Sequence, residues 1–359
     1  LAVDGVSSWM LYHPWILIGL FWVLFGIQKH LQSRARNTVR EECGEKDARL
    51  FFTLTHNLVA LFVAFLFLLA LRGWGMISDT SRLGYAWPWF LAWAFVNGVS
   101  ISFAIDSRMA ARKVLQSHYV EPLYRSSVIV NVLWGALVLC DKVSPWGWVG
   151  IGAFLLSAFL VVTAVRGKKT GEELKNLRRG IALSILGAVL AAVASIALKE
   201  CTTQSDAVTT LQRASLFLVL AYAFGLFSFL LRSLLGGWAR LSALGKYRAD
   251  VLNSVKWGAV SGLVFYFAGM ALIASLASVN YTIVMAAFST HSLLSIWLDA
   301  RLLKETAGLR DRRIWLALAL VVAGYVCIKY HPKTQETANV QEKSWLCRMH
   351  CEVVEKVRR

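Results

Sequence analysis

Charge is scarce in this sequence. Only 16% of its 359 residues are Asp, Glu, Lys or Arg, where soluble domains carry about 25%. Hydrophobic residues fill 57% of it, above the about 45–50% of soluble domains. That balance excludes a disordered chain and a soluble multidomain protein. Cysteine is thin as well, with six residues. Cys43, Cys140, Cys201 and Cys327 are scattered, which excludes a disulfide scaffold. Cys347 and Cys351 lie close together in Cys-Arg-Met-His-Cys, but that stretch offers fewer ligands than the usual structural zinc site needs. The glycine-rich phosphate loop of ATP-driven machines is missing, as are His-Glu-x-x-His, Gly-x-Ser-x-Gly and any metal-ligand cluster. Nothing therefore points to an enzyme, a metal or a cofactor.

Long apolar runs are what the sequence has. A helix needs about 20 apolar residues to cross a bilayer, and ten candidates occur. They run over 14–28, 51–71, 87–105, 120–139, 146–165, 180–198, 214–235, 256–274, 279–298 and 313–330. The fourth is weakest at its start, where His118, Glu121 and Arg125 sit close together. The eighth and ninth are nearly continuous, with the break expected at Ser278-Val279-Asn280. Trp87, Trp89, Trp146, Trp148 and Trp315 mark span ends as an interfacial belt does. The expected fold is an all-α membrane protein of ten transmembrane helices. The net charge of +17 fits membrane-flanking loops beside anionic lipid headgroups better than nucleic-acid binding. Lipids and a small-molecule substrate are the expected partners, with no nucleic acid.

The ten spans divide into halves. The first span closes on Ile27-Gln28-Lys29 and the sixth on Ala197-Leu198-Lys199. Trp134 to Lys142 precedes the fifth span much as Ser295 to Glu305 precedes the tenth. Five is odd, so a second half of five spans is inverted relative to the first, an architecture found in alternating-access carriers. The organisation reads as an N-terminal segment 1–13, a first five-helix repeat 14–165, a basic connector 166–179, a second repeat 180–330 and a polar tail 331–359. In the tail, Trp345, Met349, Val353 and Val357 recur every four residues, which suits either a surface helix or a frayed end.

On this layout, with Lys29 and Lys199 closing spans one and six, the sequence resembles the drug/metabolite transporter superfamily, specifically its ten-span EamA-like members. Tyr119-Val120-Glu121-Pro122-Leu123-Tyr124-Arg125-Ser126-Ser127-Val128 looks like that family's proline-containing start of span four. Leu302-Leu303-Lys304-Glu305 is similar to its acidic turn before the last span. Asp141-Lys142 departs from the Glu-Arg that members often show. The resemblance covers roughly 14–330 and implies secondary transport of a small polar or amphipathic metabolite, proton-coupled or by exchange, across a plasma or bacterial inner membrane. It also implies both termini inside. Lys and Arg crowd the odd-numbered connectors instead, which by the positive-inside rule puts the termini outside. Two rival classes are a membrane-embedded enzyme or lipid-handling protein, with polar groups at one interface, and a scaffold without a central cavity.

Polar residues within spans are costly in hydrocarbon and face a cavity or a partner. His291, mid-span in Phe288-Ser289-Thr290-His291-Ser292, suits proton or anion binding, or equally a neutral ring bonded to a neighbouring helix. Glu121 suits a cavity carboxylate or an interfacial ion pair with Arg125 one turn on. Asn97, Asn131 and Asn280 are candidate hydrogen-bonding groups, and Tyr222 and Tyr266 candidate stacking rings, with helix packing as each one's ordinary role. These seven are the candidate substrate-binding residues. Lys29 and Lys199 read as snorkelling span ends whose repeated position also allows a gating role.

Overall fold

The structure is a computed structural model. It describes residues 14–37, 45–73, 75–78, 87–115, 117–139, 141, 143–166, 172–201, 207–235, 248–278, 281–303 and 311–329. Every regular element among them is helical: α1 (Pro14–Asn37), α2 (Glu45–Ala70), α3 (Gly75–Ser78), α4 (Trp87–Val114), α5 (Ser117–Tyr124), α6 (Ser127–Leu137), α7 (Pro145–Arg166), α8 (Glu172–Glu200), α9 (Ala207–Leu235), α10 (Arg248–Ser278), α11 (Tyr281–Leu302) and α12 (Arg312–Lys329). Eight of them, α1, α2, α4, α7, α8, α9, α10 and α11, are long and apolar enough to cross a membrane. At 1.5 Å per residue, about 20 residues reach across the hydrocarbon layer. Their outward faces carry exposed Phe62, Phe159, Phe227 and Trp297, as a lipid-facing surface requires. The chain is a multi-pass helical membrane protein.

Two elements depart from the expected spans. The fourth span, expected as one helix over 120–139, is two short helices, α5 and α6. Pro122 lies inside α5 and brings no N–H. The chain then tightens: the amides of Arg125 and Ser126 bond three residues back, to the carbonyls of Pro122 and Leu123, and Ser126 Oγ also donates to Leu123 O at 2.8 Å. α12 is helical where the tenth span was expected, but Arg312, Arg313 and Lys329 sit within its 18 residues. It is absent from the eight. The break between α10 and α11 falls at the expected place, since α10 ends at Ser278 and α11 begins at Tyr281.

Packing follows small residues. α4 lies mainly on α8 and α9, and α10 mainly on α1 and α2. α2 also packs on α9, α1 on α11, and α7 on α12. Gly98 of α4 meets Gly225 and the Ala221 carbonyl of α9, Gly262 of α10 meets the backbone of α2 at His56, and Gly150 of α7 meets Gly324 of α12. At each crossing a side chain would hold the backbones apart. One large apolar cluster joins α1, α2, α4, α8, α9, α10 and α11 around Phe21, Phe217, Tyr266 and Met285. A second joins the ends of α4, α7 and α11 to α5 and to the starts of α8 and α12, around Leu115, Leu123, Leu177 and Ile314.

Candidate functional site

α1 continues well past Lys29, where the sequence placed the end of its span. Gln28, Lys29, His30, Gln32 and Ser33 are all buried, so Lys29 is a mid-helix residue inside the bundle and no snorkelling end. α4 likewise runs on to Val114 and buries Arg108 and Arg112. The sequence reading had left both outside the third span. Together with Arg125, which follows α5, these side chains surround one carboxylate. Glu121 accepts from Arg108, from Arg112 Nη2 at 2.6 Å and from Arg125 Nη2 at 3.1 Å, and all four groups are buried. The i, i+4 pair with Arg125 expected from the sequence is present, but as one edge of a three-arginine cluster. Arg112 Nη1 also donates to Ser33 Oγ at 2.6 Å and to the Lys29 carbonyl at 2.9 Å. Ser33 in turn donates to Asp299 at 2.7 Å, and His30 Nδ1 lies 2.7 Å from the other oxygen of Asp299. α1, α4, α5 and α11 are thus tied together at one end of the bundle, the cationic end.

His291 belongs to this cluster. Its Nε2 lies 2.9 Å from Arg125 Nη2, and its Nδ1 faces the Phe288 carbonyl. A guanidinium offers only donors, so Nε2 is the acceptor and Nδ1–H the donor of a neutral ring. Of the two readings the sequence left open, this geometry is that of a neutral histidine holding a neighbouring helix.

Above the cluster lies a cavity of about 60 Å³. Its wall brings together Phe25 and Lys29 of α1, Asn97 of α4, Tyr124 of α5, Ser195 of α8, Tyr222 of α9, Phe265 of α10 and Phe288 of α11. The space suffices for a few waters. Lys29 Nζ sits 5.3 Å from the centre of the Tyr124 ring, and the Arg108 and Arg125 guanidiniums stand at 4.7 and 5.8 Å from that same ring. Asn97 Nδ2 donates to the Ala194 carbonyl at 2.7 Å, joining α4 to α8.

The opposite end is held by other ties. Trp134 of α6 donates to Glu200 of α8 at 3.3 Å, and Tyr281 of α11 donates to Asn131 of α6 at 2.9 Å. Asp141 accepts from the Thr282 amide at 3.0 Å and from its hydroxyl at 2.8 Å, and Lys199 donates to the Leu276 carbonyl at 3.0 Å.

Of the seven residues the sequence singled out, Asn97 and Tyr222 line the cavity. Glu121 and His291 lie in the cluster beneath it. Asn131 is spent on Tyr281. Tyr266 is buried between Phe67 and Phe267, away from the cavity wall. Asn280 lies outside the described residues, as do the paired cysteines and the patterned tail. Sequence reasoning read Lys29 as a snorkelling span end with a possible gating role, and it missed Arg108 and Arg112. Their spacing was the available signal: Arg108 and Arg112 are one helical turn apart and directly continue an apolar span. Among the described residues no three His, Cys, Asp or Glu side chains converge as metal ligands.

No protein-family model matches the chain, and no curated protein matches it. A solved structure titled "Crystal structure of protein" is similar in fold, with a TM-score of 0.51 and 14% identity over 86% of this chain and 96% of that one. At that identity the likeness is one of fold alone.

Proposed function

We propose that the protein is a secondary transporter that moves a small polar or amphipathic metabolite by alternating access between two inverted five-helix halves, 14–165 and 180–330. In this reading α5 and α6 together form the fourth span and α12 the tenth. The observation that carries it is the cavity bounded by helices of both halves, with different polar ties joining the helices at the two ends of the bundle. The packing supports the repeat. Exchanging each span for its partner five places on turns the α1–α10 pair into α8–α4, and the α1–α11 pair into α8 with α5 and α6. It returns α2–α9 and α7–α12 to themselves. That is the relation inverted repeats impose. A scaffold has no use for such a cavity, and a lipid-handling enzyme would gather its polar groups at one interface. The carboxylates Glu121, Asp299, Glu200 and Asp141 are each held by a donor, and the carrier is proton-coupled or an exchanger.

Cross-linking tests it. In a cysteine-depleted protein, His30→Cys with Asp299→Cys pins the cationic end, and Trp134→Cys with Glu200→Cys pins the opposite end. With a short bifunctional thiol reagent, either pair is expected to stop counterflow of a labelled solute in proteoliposomes, and the two locked forms should leave opposite ends open to a water-soluble probe. Uptake that survives both locks would sink alternating access. The solute panel is amino acids, amines, sugars, nucleotide-sugars and organic phosphates.

A further inference from the structure

Three histidines are buried among the described residues: His30, His56 and His291. Imidazole is the side chain whose charge changes between about pH 5 and 8, and proton relays inside membranes are built from such rings and carboxylates. Two of the three are badly placed to take up a proton. The lone pair of His291 already receives Arg125. His56 has the Ser261 hydroxyl 3.1 Å from its Nδ1 and the Phe52 and Phe265 rings beside it, so an imidazolium there meets no carboxylate among the described residues. His30 differs, because its Nδ1 lies 2.7 Å from Asp299. An ionised carboxylate only accepts, so Nδ1 carries the hydrogen and the lone pair sits on Nε2. That atom is buried and has no partner among the described residues. Glu121, the carboxylate nearby, accepts from three guanidiniums that can only donate, which leaves no place for a proton on it. The charged groups on the elements packed about His30 are Asp299 of α11, Arg112 of α4 acting through Ser33, Lys29 and Arg34 on α1 itself, and Lys256 of α10, which shares the Trp257 ring with Arg34.

We propose that His30, held by Asp299, is a proton-binding site, and that the bound proton latches the cationic end shut. This rests on the carrier reading above and takes its proton-coupled form. The pair joins α1, in the first half, to α11, in the second. With Nε2 bare, the tie is a hydrogen bond from a neutral ring to a carboxylate. A proton from water adds to the Nε2 lone pair, the ring becomes an imidazolium, and the attraction of two full opposite charges is added to the same hydrogen bond. Both side chains are almost wholly buried, so little water competes for them. Asp299 stays anchored in either state, since Ser33 donates to its second oxygen at 2.7 Å and Arg112 donates to Ser33. When Nε2 returns its proton to water, the tie relaxes. α1 also carries Phe25 and Lys29 of the cavity wall, and α11 carries Phe288, so the state of the tie is felt where a solute would sit.

The latch can be read without any solute. Ser295 lies one turn before Asp299 on the same face of α11, and its side chain is buried. In the full chain, depleted of cysteine and held in detergent, Ser295→Cys serves as the reporter, labelled by a charged, water-soluble maleimide from pH 5 to pH 8. Rates are divided by those of the unfolded protein at the same pH, which removes the thiol's own ionisation. Labelling is expected to slow by about tenfold from pH 8 to pH 5, within the usual range of coupling between a bound ligand and a conformational equilibrium. His30→Gln keeps a donor for Asp299 but does not titrate, and should give one rate across the range. Asp299→Asn, the second variant, takes the partner from the imidazolium and should lose the slowing. Melting curves establish that each variant is folded. A flat profile in the parent, labelling that quickens toward acid, or a parent-like profile in either folded variant would overturn the proposal. Uptake of the same solute panel into proteoliposomes, with and without a pH gradient, separates the two readings. A latch that His30→Gln abolishes, with no uptake of any solute, sinks the carrier and leaves the proton site. Uptake that ignores the gradient, or whose response to it survives His30→Gln, does the reverse.

Discussion

Glu121 holds three guanidiniums at once, so its loss is felt by all of them. Removing one partner of a buried ion pair costs about 3–5 kcal/mol because the other charge stays buried and bare. Glu121→Gln is therefore expected to lower the unfolding temperature in detergent far more than Tyr222→Phe, whose side chain lines the cavity. A Glu121→Gln protein as stable as the parent would show that the arginines find other partners. His291 sits differently. Its lone pair receives Arg125 and its N–H faces a backbone carbonyl, and a glutamine amide offers one acceptor and one donor to the same two groups. His291→Gln should leave the pH profile of transport unchanged. A flattened profile would make this ring the proton carrier that its sequence position allowed.

Among the described glycines, the closest approach to a neighbouring helix is at Gly98, where α4 crosses α9 beside Gly225. A Cβ at Gly98 would run into the Ala221 carbonyl, a backbone atom that cannot swing aside. Gly98→Ala should cost about 1–3 kcal/mol as an overpacked contact, read as a lower melting temperature. Gly19→Ala, with nothing within 4 Å, should cost far less. How far each element could be read from the chain follows from what hydropathy reports. The eight long helices were legible because apolar composition and length alone fix them. The true ends of α1 and α4 were not. Lys29 looks like a span end and Arg108 and Arg112 like loop residues by composition, and the partners that hold the two arginines, Glu121 and Ser33, come from other segments. The split of the fourth span was half legible. Pro122 stood in view, but proline at the start of a helix is ordinary, and only the tightened turn after it separates α5 from α6.

For the molecule as a whole, the same blindness decided the site. Sequence reasoning looked for rare polar residues inside apolar spans and so reached Asn97 and Tyr222, which do line the cavity. It took Lys29 for a span end and passed over Arg108 and Arg112, where α4 carries on into the bundle. Pairing is a property of several distant segments at once, and a single chain read in order does not display it.

For a chemist seeking to block the protein, the uneven wall of the cavity is a template. Lys29 supplies an amine at one end, and Phe25, Phe265 and Phe288 form an apolar side. If the protein is the carrier proposed above, a compound that fits both, yet is too broad for a chamber of about 60 Å³, would enter while one end stands open and then act as a wedge, arresting the cycle on the side from which it came.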